Sequence, residues 1–384
     1  MIDLDADEIY IKQLLNNIRV CPIDKLTEEF DRRNKLKVLQ AWLESRRNEG
    51  NQTPELHNAL AKIYVDSGNK PEEFLMTNQY YDSKVVGKYC EDRDPHLAFT
   101  AYRRAWGSCD KELVELTNKN YLFRLQAKYL VERMDLDLWA FVLKEDNEQR
   151  KQVIEQVVQT ALPETKNPEE VSLTVKAFMK AELPHELMEL LEKIVLHNSD
   201  FSKNKNLQNL LLLTAIKADK SRVMDYINRL TNIDGPGLAE IMLEEKHQLY
   251  EEAFVLYQKI GLEDKACDVL LQHIENVDRA AEFAHKVNRK DVWAKLGRAQ
   301  LQHGGYVKEA LDSFVRAKDP DMYLMVIGAA NQEGLYEELI RFLLMARETL
   351  KEQTIDGELI WAYAKTKRLA EIEEFISGSH IADV

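Results

Sequence analysis

In the stretch YVKEALDSFVRAKD, from Tyr306 to Asp319, the apolar residues are Val307, Ala310, Leu311, Phe314 and Val315. They fall at i, i+3, i+4, i+7 and i+8, which is one face of an α-helix. The same stripe runs through LYEEAFVLYQKIG as Leu249, Ala253, Leu256, Tyr257 and Ile260, and through DRAAEFAHKV as Ala280, Phe283, Ala284 and Val287. LYEELIRFLLMARE, from Leu335 to Glu348, repeats the form: a small turn, an aromatic residue, acids, then an apolar-striped helix. No long alternation of apolar and polar residues marks a strand, so the pattern predicts an all-α chain.

The stripes recur at a fixed interval. The small or aliphatic residue that follows each turn is Leu187, Val223, Ala253, Ala280, Ala310, Leu339 and Ile372. Their spacing, near 30 residues, holds two helices and two turns, which is an α-hairpin repeat of the solenoid kind. A single amphipathic hairpin cannot bury its apolar face, whereas a stack of them buries it continuously. Alanines at this phase are expected to let neighbouring helices approach closely.

Prolines mark helix starts. TPELHNAL, DPHLAFTAY, NPEEVSLTV and DPDMYLMVI place a polar residue directly before Pro, which makes Thr53, Asp94, Asn167 and Asp319 the expected N-caps. Glu170 stands three residues after Asn167, as a capping box requires. GPG at Gly235–Gly237 is expected to be a turn and not a phosphate cradle, because no strand-to-helix context surrounds it.

Composition narrows the class. The 384 residues are 45% hydrophobic and 31% charged, enough to bury a core, and 14 Gly are few for a phosphate-binding α/β enzyme. The net charge of −14 argues against a nucleic-acid partner, whose phosphates need basic side chains. Cys21, Cys90, Cys109 and Cys267 form no CxxC pair and read as free thiols of a reduced compartment. The acidic N-terminus does not resemble a signal peptide, and LQNLLLLTAI is too short to span a bilayer. A cytoplasmic protein is expected.

Several stretches carry a family resemblance: NALAKIYVDSGNKPEEFL, NQYYDSKVVGKYCEDRDPHLAFTAYRR, QVVQTALPETKNPEEVSLTVKAFMKAELPHELMELLEKIVL, NLQNLLLLTAIKADKSRVMDYINRL and EELIRFLLMARETLKEQ. In this order, from about Leu26 onward, they resemble the distal leg of the clathrin heavy-chain family. The resemblance implies an α-solenoid built from larger units, here 1–148, 149–292 and a partial unit 293–384. It implies a segment of a coat protein, a leg whose assembly into a polyhedral lattice serves endocytosis and vesicle transport at the cytoplasmic face of coated pits and vesicles. The implied partners are other clathrin heavy chains, the clathrin light chain (mainly through parts absent here) and membranes reached through adaptors. AYRRAWGSCD reads about two residues longer than the matching family segment. The competing reading is a vacuolar tethering or sorting subunit that uses the same repeat as a protein-binding adaptor.

Catalytic chemistry is not written in the chain. No Walker, HExxH or GxSxG motif occurs, and His185 and His197 have no ligand partners in register. Glu251–Glu252 and Glu337–Glu338 are expected in first helical turns, where acids favour the dipole. The basic run FDRRNKLK, Phe30–Lys37, is expected to be a solvated helix face. No enzyme activity, cofactor or metal is expected, and the binding residues are left open.

Overall fold

The structure is a computed structural model that describes residues 7–17, 22–197 and 200–378. Among these residues every regular element is helical, and no strand occurs. Two compact units divide the chain, Met1–Ser202 and Lys203–Val384.

The repeat phase read from the sequence is a structural position. Ala253, Ala280, Ala310, Leu339 and Ile372 are each the fourth residue of their helix, in Tyr250–Lys259, Val277–Val287, Val307–Ala317, Tyr336–Thr349 and Leu369–Ser377. Leu187 is the fourth of Pro184–Glu192, and Val223 directly follows the three-residue 3-10 turn Lys220–Arg222. All are buried except Ile372, which is half-buried. These positions are buried one turn into their helices, which is why the sequence holds them apolar.

Aromatic residues set the spacing between hairpins. In the second unit Phe254 meets Phe283 edge-on at 5.5 Å between centroids, and Phe314 meets Phe342 at 6.1 Å. In the first unit Phe99 meets Tyr129 at 6.4 Å. Each pair joins neighbouring repeats in the edge-to-face geometry that the ring quadrupole favours. Within a hairpin, tight crossings depend on glycine. A Cβ on Gly87 would lie 2.3 Å from the Tyr102 ring, so the ring packs directly on the backbone.

Caps follow the sequence in part. Asp94 accepts from the N–H groups of His96 (2.9 Å) and Leu97 (3.4 Å), and Asn167 accepts from Glu169 (3.0 Å). The other two expectations fail. Thr53 precedes Pro54–Ser67 but donates its hydroxyl to Asn51 and caps nothing. Asp319 lies ahead of a turn, and the helix begins only at Tyr323. Its carboxylate accepts from the Asp321 N–H and binds Arg298 at 2.8 Å. Glu170 does not close a capping box either. The Asn167 N–H goes to the Thr165 hydroxyl, and Glu170 accepts from that hydroxyl and from the Asn167 amide. Gly235–Gly237 is the first turn of the helix Gly235–Leu243, not a free turn, and Gly235 leaves room for Ile260, whose Cδ1 would lie 2.6 Å from an added Cβ.

Candidate interaction surfaces

Many of the titratable side chains pair between hairpins. In the first unit Arg93 binds Asp66 at 3.2 Å and Arg103 binds Glu132 at 2.6 Å, partners 27 and 29 residues apart. In the second unit Arg279 grips Glu251 with both guanidinium nitrogens at 2.5 and 2.7 Å, and Arg289 binds Glu263 at 2.7 Å, partners 28 and 26 residues apart. These separations are one repeat, so opposite charges at one phase meet their counterparts in the next hairpin. The pairs are exposed, and each contributes about 0–1 kcal/mol.

Three of the four expected first-turn acids take part in this ladder. Glu251 and Glu252 open Tyr250–Lys259, and Glu337 and Glu338 open Tyr336–Thr349. Glu337 binds Arg368, and Glu338 binds Lys308 at 3.3 Å. Arg279 holds the Glu251 carboxyl below its ordinary range. Lys259 serves differently. Its ammonium reaches the carbonyls of Ile227, Asn228 and Leu230, capping the end of Val223–Arg229, and burial lowers its pKa.

Cys90, Cys109 and Cys267 are buried, and burial pushes the thiols of Cys90 and Cys267 up to about 12. Cys21 lies outside the described residues. Burial raises Tyr81 to about 12, and burial with an acceptor carboxylate raises Tyr89, Tyr102 and Tyr129. His185 and His197 are exposed near opposite ends of one helical run, Pro184–Glu192 continued by Lys193–His197, and among the described residues no group of His, Cys, Asp and Glu is placed to hold a metal ion. In the basic run, Arg32 and Arg33 both bind Glu29 on their own helix, while Phe30 and Leu36 are buried. That run is a solvated face with an apolar underside.

Two features carry no sequence signal. Gln300 and Ser313 form a buried hydrogen bond of 2.7 Å inside the seam of one hairpin. A groove of about 270 Å³ opens between the helices Ile23–Arg32 and Pro54–Ser67. Among the described residues no helix is long and apolar enough to cross a membrane.

A hairpin repeat with buried fourth positions, interlocked aromatic pairs and a charge ladder between hairpins defines a stacking α-repeat protein. The family model Clathrin, described as a region in clathrin and VPS, matches residues 15–154, 162–305 and 314–384. The chain belongs to this family. All of it aligns with the clathrin heavy chain of Dictyostelium discoideum at 55% identity, and with the clathrin heavy chain of Drosophila melanogaster and clathrin heavy chain 2 of Homo sapiens at 53% each. The chain spans 22–23% of the length of these relatives.

Proposed function

We propose that the chain acts as a structural, non-catalytic segment of a clathrin-type coat, forming part of a leg that joins other heavy chains in a polyhedral lattice on the cytoplasmic face of coated pits and vesicles. The observation that carries this reading is 53–55% identity along the whole chain to clathrin heavy chains from organisms as distant as Dictyostelium and human. It is supported by a core spent on stacking hairpins. Contacts between the exposed faces of neighbouring legs are individually weak and become stable only when many are tethered together.

On this reading the chain holds two full repeat units and part of a third, with boundaries near 148 and 292. Light-chain binding belongs mainly to parts of the protein outside these residues, and membranes are reached through adaptors. The tethering alternative is not favoured, because the relatives named above are clathrin heavy chains.

A chimera tests it. The matching stretch of a clathrin heavy chain is replaced by these 384 residues, and cage assembly is followed by sedimentation and electron microscopy. Cages of normal geometry are expected. A chimera that trimerises but forms no cages would overturn the reading. The isolated chain is expected to sediment as a monomer at micromolar concentration.

A further inference from the structure

Basic side chains crowd one corner of the second unit. Lys217 lies in the last turn of Lys205–Ala218, Lys220 opens the short turn Lys220–Arg222, and Lys246 lies between Gly235–Leu243 and Tyr250–Lys259. The Lys220 ammonium joins these elements, donating to the carbonyls of Lys246 (3.3 Å) and His247 (2.7 Å). Two of its three N–H groups are used in this way and one is left. Lys246 binds Glu244 at 2.5 Å and keeps two. Lys217 forms no ion pair among the described residues, yet it acts electrostatically on both Glu244 and His247.

His247 sits among these ammoniums. It is only 9% exposed, and its Nε2 is enclosed without a hydrogen-bond partner. Such a nitrogen carries its desolvation cost uncompensated. The charged groups acting on the ring are Lys246 and Glu244 on its own turn, Lys220 on the adjoining turn and Lys217 on the helix, three cations against one anion. Burial, with the lysines behind it, lowers its pKa. Lysines near helix ends offset the dipole, which accounts for Lys217. That role does not account for a ring nitrogen left unpartnered beside three ammoniums in a chain of net charge −14.

We propose that this corner binds a phosphomonoester, with Lys217, Lys246 and the remaining N–H of Lys220 on its oxygens and the Nε2 proton of His247 backing them. A dianion with three acceptor oxygens suits several donors that converge. Glu244 holds Lys246 and competes with the ligand for it. An inositol-lipid headgroup and a soluble phosphate offer the same chemistry, and the test separates them.

The test uses the full chain, labelled for amide and histidine-ring NMR, titrated with inorganic phosphate at constant ionic strength. Shifts are expected in the His247 ring and in residues 217–222 and 244–248, and phosphate should raise the His247 pKa by pairing the imidazolium. Lys217→Gln/Lys246→Gln should weaken binding by about tenfold or more. His247→Gln should weaken it several-fold. Glu244→Gln, which removes the competitor, should tighten it several-fold. Lys318→Gln/Lys351→Gln, on other elements, should change nothing. Unperturbed amide positions elsewhere in each variant establish that it folds. Flotation with phosphatidylcholine vesicles carrying phosphatidylinositol 4-phosphate, against charge-matched phosphatidylserine vesicles, names the source. Preference for the inositol lipid identifies a headgroup site, and equal flotation with retained phosphate binding identifies a soluble ligand. No ring shift at millimolar phosphate would overturn the proposal, as would equal weakening by the Lys318/Lys351 variant. A Lys217/Lys246 variant that loses stability but binds phosphate unchanged would reduce the lysines to dipole partners and overturn it too.

Discussion

Ala310→Glu places a carboxylate at the fourth position of Val307–Ala317, where the native side chain is fully buried. The surrounding cluster is apolar, with Val307, Leu311, Phe314, Leu339, Ile340 and Leu343 among its members. Such a carboxylate escapes the cost of burying its charge by taking up a proton. With an unfolded pKa of about 4.3, neutralising it at pH 7 costs about 4 kcal/mol. The extra atoms in a packed seam add about 1–3 kcal/mol. In the pH range from about 4.3 to 7 the folded state then holds a proton that the unfolded chain has released. Stability therefore falls by about 1.4 kcal/mol for each pH unit of increase. Ala310→Gln adds comparable bulk without charge and should lose only the packing part, with no added pH slope. Urea unfolding of both variants between pH 5 and 7.5 measures the difference. Hydrogen exchange should show lost protection in Val307–Ala317 and its neighbours and none in Pro54–Ser67, because repeats couple through nearest neighbours. Equal pH dependence in the Glu and Gln variants would mean that the side chain reaches water and that the fourth position is not an inter-hairpin contact.

Burial lowers the pKa of His57, whose two ring nitrogens are engaged by the Asn51 carbonyl and the Asn78 amide. Its folded state binds fewer protons than the unfolded chain, so stability should fall as pH drops below about 6.5, and His57→Gln should flatten that slope in thermal melts between pH 5 and 7.5. Gln126 is fully buried with neither amide atom hydrogen-bonded, so Gln126→Met should raise stability by about 1–3 kcal/mol in urea titrations. Glu251→Gln removes the strongest-looking rung of the ladder, yet should cost less than about 1 kcal/mol, with the difference shrinking in high salt.

The period was legible because burial repeats at one phase, and phase survives in a one-dimensional string. Ala253, Ala280 and Ala310 could be aligned by eye, and each proved to hold the same turn of its helix. The ladder was equally present, as Glu251 and Arg279 or Glu263 and Arg289, but opposite charges 26–28 residues apart mean nothing until the repeat length is imposed on them. Cap geometry was less legible. Asp94 and Asp319 stand in the same local context, Asp before Pro, and both accept the N–H two residues on, but after Asp319 the chain turns and its helix begins only at Tyr323. The groove was hidden because its two walls come from helices about one repeat apart. Gln126 had no signal at all, because an unpartnered amide can be recognised only once its surroundings are known.

The groove and the ladder make opposite demands on the fold. An acid retained for stability has its cation supplied by the chain, as Glu251 has Arg279, and neutralising it loses an attraction. Asp24, Glu28 and Glu55 share a groove with no supplied cation beyond the one that Asp31 occupies. Like charges crowded in this way repel, so the fold carries them at a small cost. Glu28→Gln/Glu55→Gln should therefore leave stability unchanged or raise it by up to about 1 kcal/mol in urea titrations. A clear loss of stability in that variant would place the two glutamates in the structural ladder, and the groove would then be only a seam between repeats.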